Sequence, residues 1–450
     1  QIVALGTVQS ASLGTANMAA LTTDQLAAME VADLAVVGTS SLRALSSTQI
    51  AALTTLQAAA LGTTQIVGLG TAQMAALTTD QIVALGTVQA AGLSAANMGA
   101  LTTDQLAAME VADLAVVGTS SLRALSSTQI AALTTLQAAA LGTTQIVGLG
   151  TAQMAALTTD QLVALSTRQA AGLSAANMGA LTTDQLAAME TADLAAVGTS
   201  SLRALGASQI AALTTDALAG LTTVQIVGLS TTQIAALTTD QIVALSTTQI
   251  AGLSTTNIGA LTTIQLAALE TGDLAVLGTT NLRALSAAQM ASLTTDQMVA
   301  LGTVQIVGLS TANAGALTTI QLAALETGDL AVLSTTNLRA LSAAQMASLT
   351  TDQMVALGTV QVAGLSTANV SALTTEQLAA LETADLAVLS STNLQALSAA
   401  QMAALTTDQI VALGTVQSAS LGTANMAALT TDQLAAMETA DLAAVGTSSL

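Results

Sequence analysis

The residues of this chain best suited to bind a ligand or to react are its acidic residues, and many of them recur singly. Asp24, Asp80, Asp104 and Asp160 each stand alone at the same position of a short repeat. Calcium loops need several oxygen ligands at close spacing, which this pattern lacks, and the expected role of a lone Asp near a helix start is to interact with the helix dipole. We therefore predict no metal site and no cofactor, and a divalent cation is an unsupported partner.

A second set of charges combines acidic and basic residues in neighbouring repeats. Two such sets are Glu30, Asp33 and Arg43, and Glu110, Asp113 and Arg123. We predict that each set is a charge cluster between repeats. The simplest role is a solvated ion pair contributing ~0–1 kcal/mol, and the functional alternative is a docking point between neighbouring arrays.

Catalytic machinery is absent from the composition. The chain has no His, Cys or Lys, so its many Ser and Thr hydroxyls have no obvious general base beside them. His and Cys ligands for a transition metal are absent as well. The sequence therefore predicts a protein that is not an enzyme.

The charge balance narrows the range of partners. The 450 residues carry 26 Asp plus Glu against 6 Arg, a formal net charge of −20. Proteins bind nucleic acids largely through Lys and Arg on phosphates, so we exclude a nucleic-acid partner. Polar residues recur within every repeat and no run of 18 apolar residues forms, which predicts no transmembrane segment.

A period of eight residues organises the whole chain. Leu, or Met or Val in eight places, begins each of 56 uninterrupted octads. An unbroken short period indicates one small unit stacked many times. We expect residues 1–450 to be a single octapeptide-repeat array cut from a longer one. The predicted structural core is the row of these leucines, including Leu5, Leu13, Leu21, Leu45, Leu53, Leu61, Leu237 and Leu245.

The internal pattern of the octad favours a short helix. With Leu as position 1, position 2 is Gly, Ser or Thr, residues that cap helices, except in seven octads that have Glu there. Gln at position 5 completes a capping box, and the apolar residues at positions 1 and 6 fit a hydrophobic staple. In one continuous helix each residue would rotate by about 100°, so successive leucines eight residues apart would lie about 80° out of line and form no continuous apolar stripe. We therefore predict an all-α solenoid, or superhelix, of helices of roughly six residues, one per octad.

A β-solenoid with Leu and Thr pointing inward is the alternative fold. Thr, Ile and Val favour it, whereas the high Ala content and the absence of a two-residue alternation oppose it. Both folds leave much apolar surface uncovered on so thin a structure. We therefore expect copies of the chain to associate laterally with each other.

The octad 77–84 and the Leu85 that follows it read Leu-Thr-Thr-Asp-Gln-Ile-Val-Ala-Leu, which resembles LTTxQIxAL tracts in very large bacterial secreted and surface proteins. The likeness covers the whole chain. It implies an extracellular or cell-surface location and a role as a filament, sheath or adhesin stalk. The alternative function is a module whose Thr rows bind ice, glycan or another solid surface; buried Thr would favour the scaffold and an exposed Thr lattice the surface binder.

Overall fold

The computed structural model describes residues 1–446 and is entirely helical in that part of the chain. After a short 3₁₀ turn at Ile2–Ala4, each octad forms one α-helix of four to six residues. This confirms the predicted all-α array with one short helix per octad. Over residues 1–446 there is no β-strand, so the β-solenoid alternative is wrong.

The chain divides into two compact units, residues 1–236 and 237–450. The helices of the first unit are α1 Thr7–Ala11, α2 Thr15–Ala19, α3 Thr23–Ala27, α4 Val31–Ala35, α5 Thr39–Leu42, α6 Ser47–Ala51, α7 Thr55–Ala60, α8 Thr63–Gly68, α9 Thr71–Ala76, α10 Thr79–Val83, α11 Thr87–Gly92, α12 Ala95–Ala100, α13 Thr103–Ala108, α14 Val111–Ala115, α15 Thr119–Leu122, α16 Ser127–Ala131, α17 Thr135–Ala140, α18 Thr143–Gly148, α19 Thr151–Ala156, α20 Thr159–Val163, α21 Thr167–Ala171, α22 Ala175–Ala180, α23 Thr183–Ala188, α24 Thr191–Ala196, α25 Thr199–Leu202, α26 Ala207–Ala211, α27 Thr215–Ala219, α28 Thr223–Val227 and α29 Thr231–Ala236.

The helices of the second unit are α30 Thr239–Val243, α31 Thr247–Ala251, α32 Thr255–Ala260, α33 Thr263–Ala268, α34 Thr271–Ala275, α35 Thr279–Arg283, α36 Ala287–Ala291, α37 Thr295–Val299, α38 Thr303–Val307, α39 Thr311–Ala316, α40 Thr319–Ala324, α41 Thr327–Ala331, α42 Thr335–Arg339, α43 Ala343–Ala347, α44 Thr351–Val355, α45 Thr359–Ala363, α46 Thr367–Ser371, α47 Thr375–Ala380, α48 Thr383–Ala387, α49 Ser391–Gln395, α50 Ala399–Ala403, α51 Thr407–Val411, α52 Thr415–Ala419, α53 Thr423–Ala428, α54 Thr431–Ala436 and α55 Thr439–Ala444.

The octad 101–108 shows how a helix with a Thr or Ser cap begins and ends. Thr102 is extended and caps α13: its side-chain oxygen accepts from the Gln105 N–H at 3.2 Å, and its own N–H donates to Gln105 Oε1 at 2.7 Å. These two bonds are the predicted capping box. The preceding helix ends in a turn in which the Leu101 N–H donates to the Met98 carbonyl at 3.2 Å. Extended residues at positions 1 and 2 therefore separate consecutive helices.

Two apolar rows fill the interior. Position 6 supplies side chains such as Leu106 and Ile66, which have no exposed surface, and position 1 supplies side chains such as Leu101, which are nearly as well covered. Burial of a Leu or Ile side chain stabilises a fold by roughly 1.5–3 kcal/mol. The core is therefore wider than a single leucine row.

Stacking occurs between every third helix within each unit. In the first unit α7 packs against α4 and α10, and α10 packs against α13; in the second, α34 packs against α37 and α37 against α40. Three octads, or 24 residues, thus separate one helix from the helix stacked on it, and we call these three octads one turn of the array. We call a set of helices related by this three-octad step a column, and each unit has three columns.

The predicted core leucines differ in their burial. Leu45, Leu53, Leu61, Leu237 and Leu245 are buried. Leu5, Leu13 and Leu21 are only half-buried, because they belong to the first turn and only one side of that turn is covered by a following turn. The position-1 leucines of the first turn are therefore less well covered than those further along the chain.

Candidate functional site: the ladder between turns and the outer surface

The side chain at position 5 connects each turn to the turn before it. Gln105 uses its Oε1 for the cap of its own helix and its Nε2 to donate to the carbonyls of Met74 at 2.9 Å and Leu77 at 2.5 Å. These acceptors lie 31 and 28 residues earlier in the chain. The same pairing recurs in the second unit, where Gln353 donates to Leu322 and Leu325. We call this series of buried bonds the ladder.

Several octads keep the ladder with a different donor. Asn313 donates Nδ2 to the Leu285 carbonyl at 3.1 Å, and Ser41 donates its hydroxyl to the Leu13 carbonyl at 2.7 Å. Both acceptors lie 28 residues earlier, so the register does not depend on which donor is present. Ala217 occupies the same buried position without any side-chain donor. The ladder therefore tolerates a missing bond without a change of fold.

The seven octads with Glu at position 2 have Asp at position 5, and each of these aspartates is buried. They are Asp33, Asp113, Asp193, Asp273, Asp329, Asp385 and Asp441. An ionised carboxylate accepts hydrogen bonds but cannot donate. Burial raises the pKa of Asp113 above its ordinary value, and the Glu110 carboxylate raises it further. The pKa of Asp273, Asp329 and Asp385 is raised for the same two reasons, in that order.

The acidic octads rotate among the columns. In the first unit α4, α14 and α24 contain these aspartates and belong to three different columns. In the second unit α34, α41 and α48 also occupy three different columns, and α55 returns to the column of α34. The acidic octads within a unit are ten octads apart in the first and seven in the second. Ten octads are three full turns plus one octad, and seven octads are two full turns plus one octad. Each acidic octad therefore lies in the column that follows the column of the previous acidic octad.

The predicted charge clusters do not contain salt bridges in the described residues. Glu30 and Arg43 are exposed, whereas Asp33 is buried, and no ion pair connects Arg43 to either carboxylate within residues 1–446. Glu110, Asp113 and Arg123 have the same arrangement. The buried Asp belongs to the position-5 ladder, while the Arg lies on the outer surface.

The outer surface is formed by positions 3, 4 and 7. Position 3 is exposed or half-buried in every octad of residues 1–446. Position 4 is the most exposed site, and ten octads place a large apolar side chain there, each between 70% and 83% exposed. These residues are Val8, Leu56, Val88, Leu136, Val224, Ile264, Val304, Ile320, Val360 and Val416. Both an apolar and a threonine-rich surface are therefore available for contacts.

Some threonines at position 3 are held in place by glycine. A Cβ built on Gly68 at position 8 would lie 1.9 Å from Cγ2 of Thr39, which belongs to the previous turn of the same column. Gly148 and Thr119 have the same relation. Because Gly has no side chain at position 8, the threonine methyl group packs against the helix that lies three octads later in the same column. This contact half-buries Thr39 and Thr119.

Open depressions occur on the surface of residues 1–446, and their lining includes small and polar side chains. One open depression of about 430 Å³ is lined by Thr143, Ser166, Arg168 and Gln169, among others. No group of three or more metal-ligating side chains occurs in residues 1–446. None of the helices in that range has the length and apolar character needed to cross a membrane.

The sequence analysis missed the ladder. It assigned position 5 to the capping box, which uses only the amide oxygen of Gln. The signal was nevertheless present: a capping box accepts Glu as well as Gln, yet position 5 is Gln or Asn in most octads and never Glu. The absence of Glu from this position, together with the amide side chain in most octads, indicates that the NH₂ group also has a partner.

The comparisons with known proteins agree with this repeat structure. The family model of the ALTTAQ repeat matches residues 26–63, 59–87, 106–143, 139–167, 186–223, 218–247, 242–271, 266–303, 322–359, 354–383 and 378–415. No curated protein matches the chain. The matches to the repeat model overlap within the blocks 26–87, 106–167, 186–303 and 322–415, and together they cover about three quarters of the sequence. The chain therefore belongs to the ALTTAQ repeat family.

Proposed function

We propose that this array is a structural protein that builds an extracellular filament, sheath or adhesin stalk by stacking its repeats and associating laterally with copies of itself. Repetition supports a structural role, because three columns built from one octad can extend without a boundary. The resemblance to tracts of bacterial secreted and surface proteins supports the location.

The observation that carries the proposal is the large apolar side chain at position 4. This position equally accepts Asp, Thr or Ala, so exposed Val, Leu and Ile are not required by the fold. In the second unit the five such residues occupy all three columns. Exposed apolar surface of this kind is typical of interfaces. A second copy would present the same side chains on its own columns, and six arginines and 26 acidic residues over 450 positions leave long uncharged stretches for contact.

The test is sedimentation of the chain over a concentration series, compared with a variant in which the ten large apolar residues at position 4 are all replaced by Thr. Thr occurs naturally at this position and is nearly isosteric with Val. We expect the original chain to form larger species as concentration rises and the variant to remain smaller, with the same helical circular dichroism. The matched control replaces the exposed position-4 residues Ala16, Ala72 and Ala96 by Thr and should associate like the original. An original chain that stays monomeric at every concentration would contradict the proposal.

A surface-binding module is the second candidate, and the exposure of position 3 favours it. Thr79, Thr103 and Thr151 lie in one column and are exposed or half-buried, so hydroxyl and methyl groups recur along the outer face. Retention of the chain on ice or on an insoluble glycan would support this function. Replacing these threonines by Val, which keeps the shape and removes the hydroxyl, should abolish retention if the hydroxyl groups make the contact.

A further inference from the structure

The acidic octads interrupt the ladder at a predictable place. Counting back 28 and 31 residues from Asp113, as for every Gln of the ladder, gives the carbonyls of Leu85 and Ile82. The Ile82 carbonyl accepts the Leu85 N–H, whereas the Leu85 carbonyl has no hydrogen-bond partner within the described residues. At this point of the ladder octad 101–108 has the amide donor of Gln105, whereas octad 109–116 has the carboxyl group of Asp113.

The carboxyl group at this place is buried and lacks a partner. Asp113 is 1% exposed, and its Oδ2 makes no hydrogen bond. Oδ2 of Asp33, Asp329 and Asp385 is in the same situation. A buried acceptor without a donor destabilises the folded state, and does so more when it is charged. Four of the seven acidic octads therefore share an unpaired carboxyl oxygen at the same repeat position.

We propose that the position-5 aspartates are proton-operated links between turns. When the carboxyl group binds a proton, its hydroxyl donates to the position-1 carbonyl three octads earlier, and the ladder is continuous. When the proton leaves, two acceptors face each other and the link opens. This inference goes beyond the proposed structural role, because it makes the cohesion of the array respond to acidity.

The surroundings of Asp113 favour the protonated form. The two helices packed against α14 are α11 and α17, and neither contains a charged residue. The carboxylate of Glu110 lies at the cap of α14 itself and acts on Asp113. Burial first, and Glu110 second, raise the pKa of Asp113.

The other acidic octads have comparable neighbours. The helices packed against Asp33 and Asp441 carry no charge, and those against Asp273, Asp329 and Asp385 carry one exposed aspartate each: Asp296, Asp352 and Asp408. Asp193 is the exception, since α21 contributes Arg168 and α27 contributes Asp216. Each of the seven also has a Glu at its own helix cap.

The direction of the pH effect follows from linkage. A carboxyl group whose pKa is higher in the folded state binds protons more tightly there than in the unfolded chain. Its contribution to stability is fully present below the unfolded value near 3.8 and is lost as the pH rises through the folded pKa. Mild acidification from neutral pH should therefore stabilise the array.

The experiment uses three full-length chains. The first is unchanged; the second has all seven position-5 aspartates replaced by Asn, which donates at this position elsewhere in the chain. The third is matched in charge, with seven exposed position-4 aspartates replaced by Asn. These are Asp24, Asp80, Asp104, Asp160, Asp184, Asp240 and Asp296. The midpoint of thermal unfolding is measured between pH 7.5 and 4.5, and the carboxyl carbon of Asp113 is titrated by NMR.

We expect the unfolding midpoint of the unchanged chain to rise as the pH falls, and the matched control to rise similarly. The position-5 variant should lose most of this rise and should exceed the control at pH 7.5. Asp113 should titrate above the ordinary range of an Asp carboxyl group, because burial and then Glu110 raise its pKa. A position-5 variant with the same pH dependence as the control, or an Asp113 that titrates in the ordinary range of an Asp carboxyl group, would overturn the proposal.

Discussion

The neighbouring octads 101–108 and 109–116 have nearly the same backbone and different polar links. In both, the cap residue is extended and the position-6 leucine, Leu106 or Leu114, is completely buried. The first octad has a capped helix and two ladder bonds, whereas the second has neither a side-chain cap bond nor a donor at position 5. The comparison indicates that the apolar rows and the main-chain hydrogen bonds set the geometry, and that the polar side chains adjust cohesion within it.

The largest effect should be common to both octads. Leu106→Asp and Leu114→Asp each bury an unpaired charge, and we expect each to cost several kcal/mol. Amide hydrogen exchange around the substituted helix and in the helices stacked on it should accelerate strongly. Ala107→Asp at the exposed position 7 of the first octad is the control and should leave exchange almost unchanged. Unequal effects of the two leucine substitutions would break the view that both octads share one core.

The next effect should separate the octads. Gln105→Ala removes the cap acceptor and two ladder bonds and leaves the Leu77 carbonyl unpaired, at an expected cost of about 2–3 kcal/mol. Asp113→Ala removes a buried carboxyl oxygen that has no partner, so at neutral pH it should be neutral or stabilising. Denaturant unfolding of the two variants against the unchanged chain measures the difference. Equal destabilisation by both would mean that Asp113 makes a link at neutral pH.

The smallest effect concerns the caps. The side chain of Thr102 accepts from the Gln105 N–H, whereas that of Glu110 makes no cap bond. Thr102→Ala should therefore cost about 1 kcal/mol, and Glu110→Ala should cost little. Glu110→Ala should also move the titration of Asp113 toward its ordinary range, because it removes a neighbouring negative charge. An NMR titration of the Asp113 carboxyl carbon that is unchanged by Glu110→Ala would contradict this reading of the acidic octad.

The sequence predicted the features that are set by local chemistry. Three features depend on contacts within one octad: the cap at position 2, the Gln at position 5 and the paired apolar residues at positions 1 and 6. The structure confirms the short helices that these features indicate. Hydrogen bonds of this range can be inferred from spacing alone, because the partners are three or four residues apart.

The features that depend on stacking could not be predicted in the same way. A strict eight-residue period is compatible with any number of octads per turn, so the three-octad step and the 28-residue bonds of Gln105 required the packed structure. The burial of Asp113 followed from the same step. Its sequence neighbours Glu110 and Arg123 suggested a surface cluster, whereas the column places its side chain in the ladder.

The relation between octad and column has a consequence for how such proteins change length over generations. Each octad contacts the third octad before it through main-chain carbonyls, which every residue type provides. Misaligned recombination within the gene, if it adds or removes whole octads of codons, keeps the reading frame and also keeps every remaining donor opposite a carbonyl. The number of octads can therefore change between generations while each new length keeps the same stacking. A duplicated block of seven or ten octads places its copied acidic octad in a different column of the array.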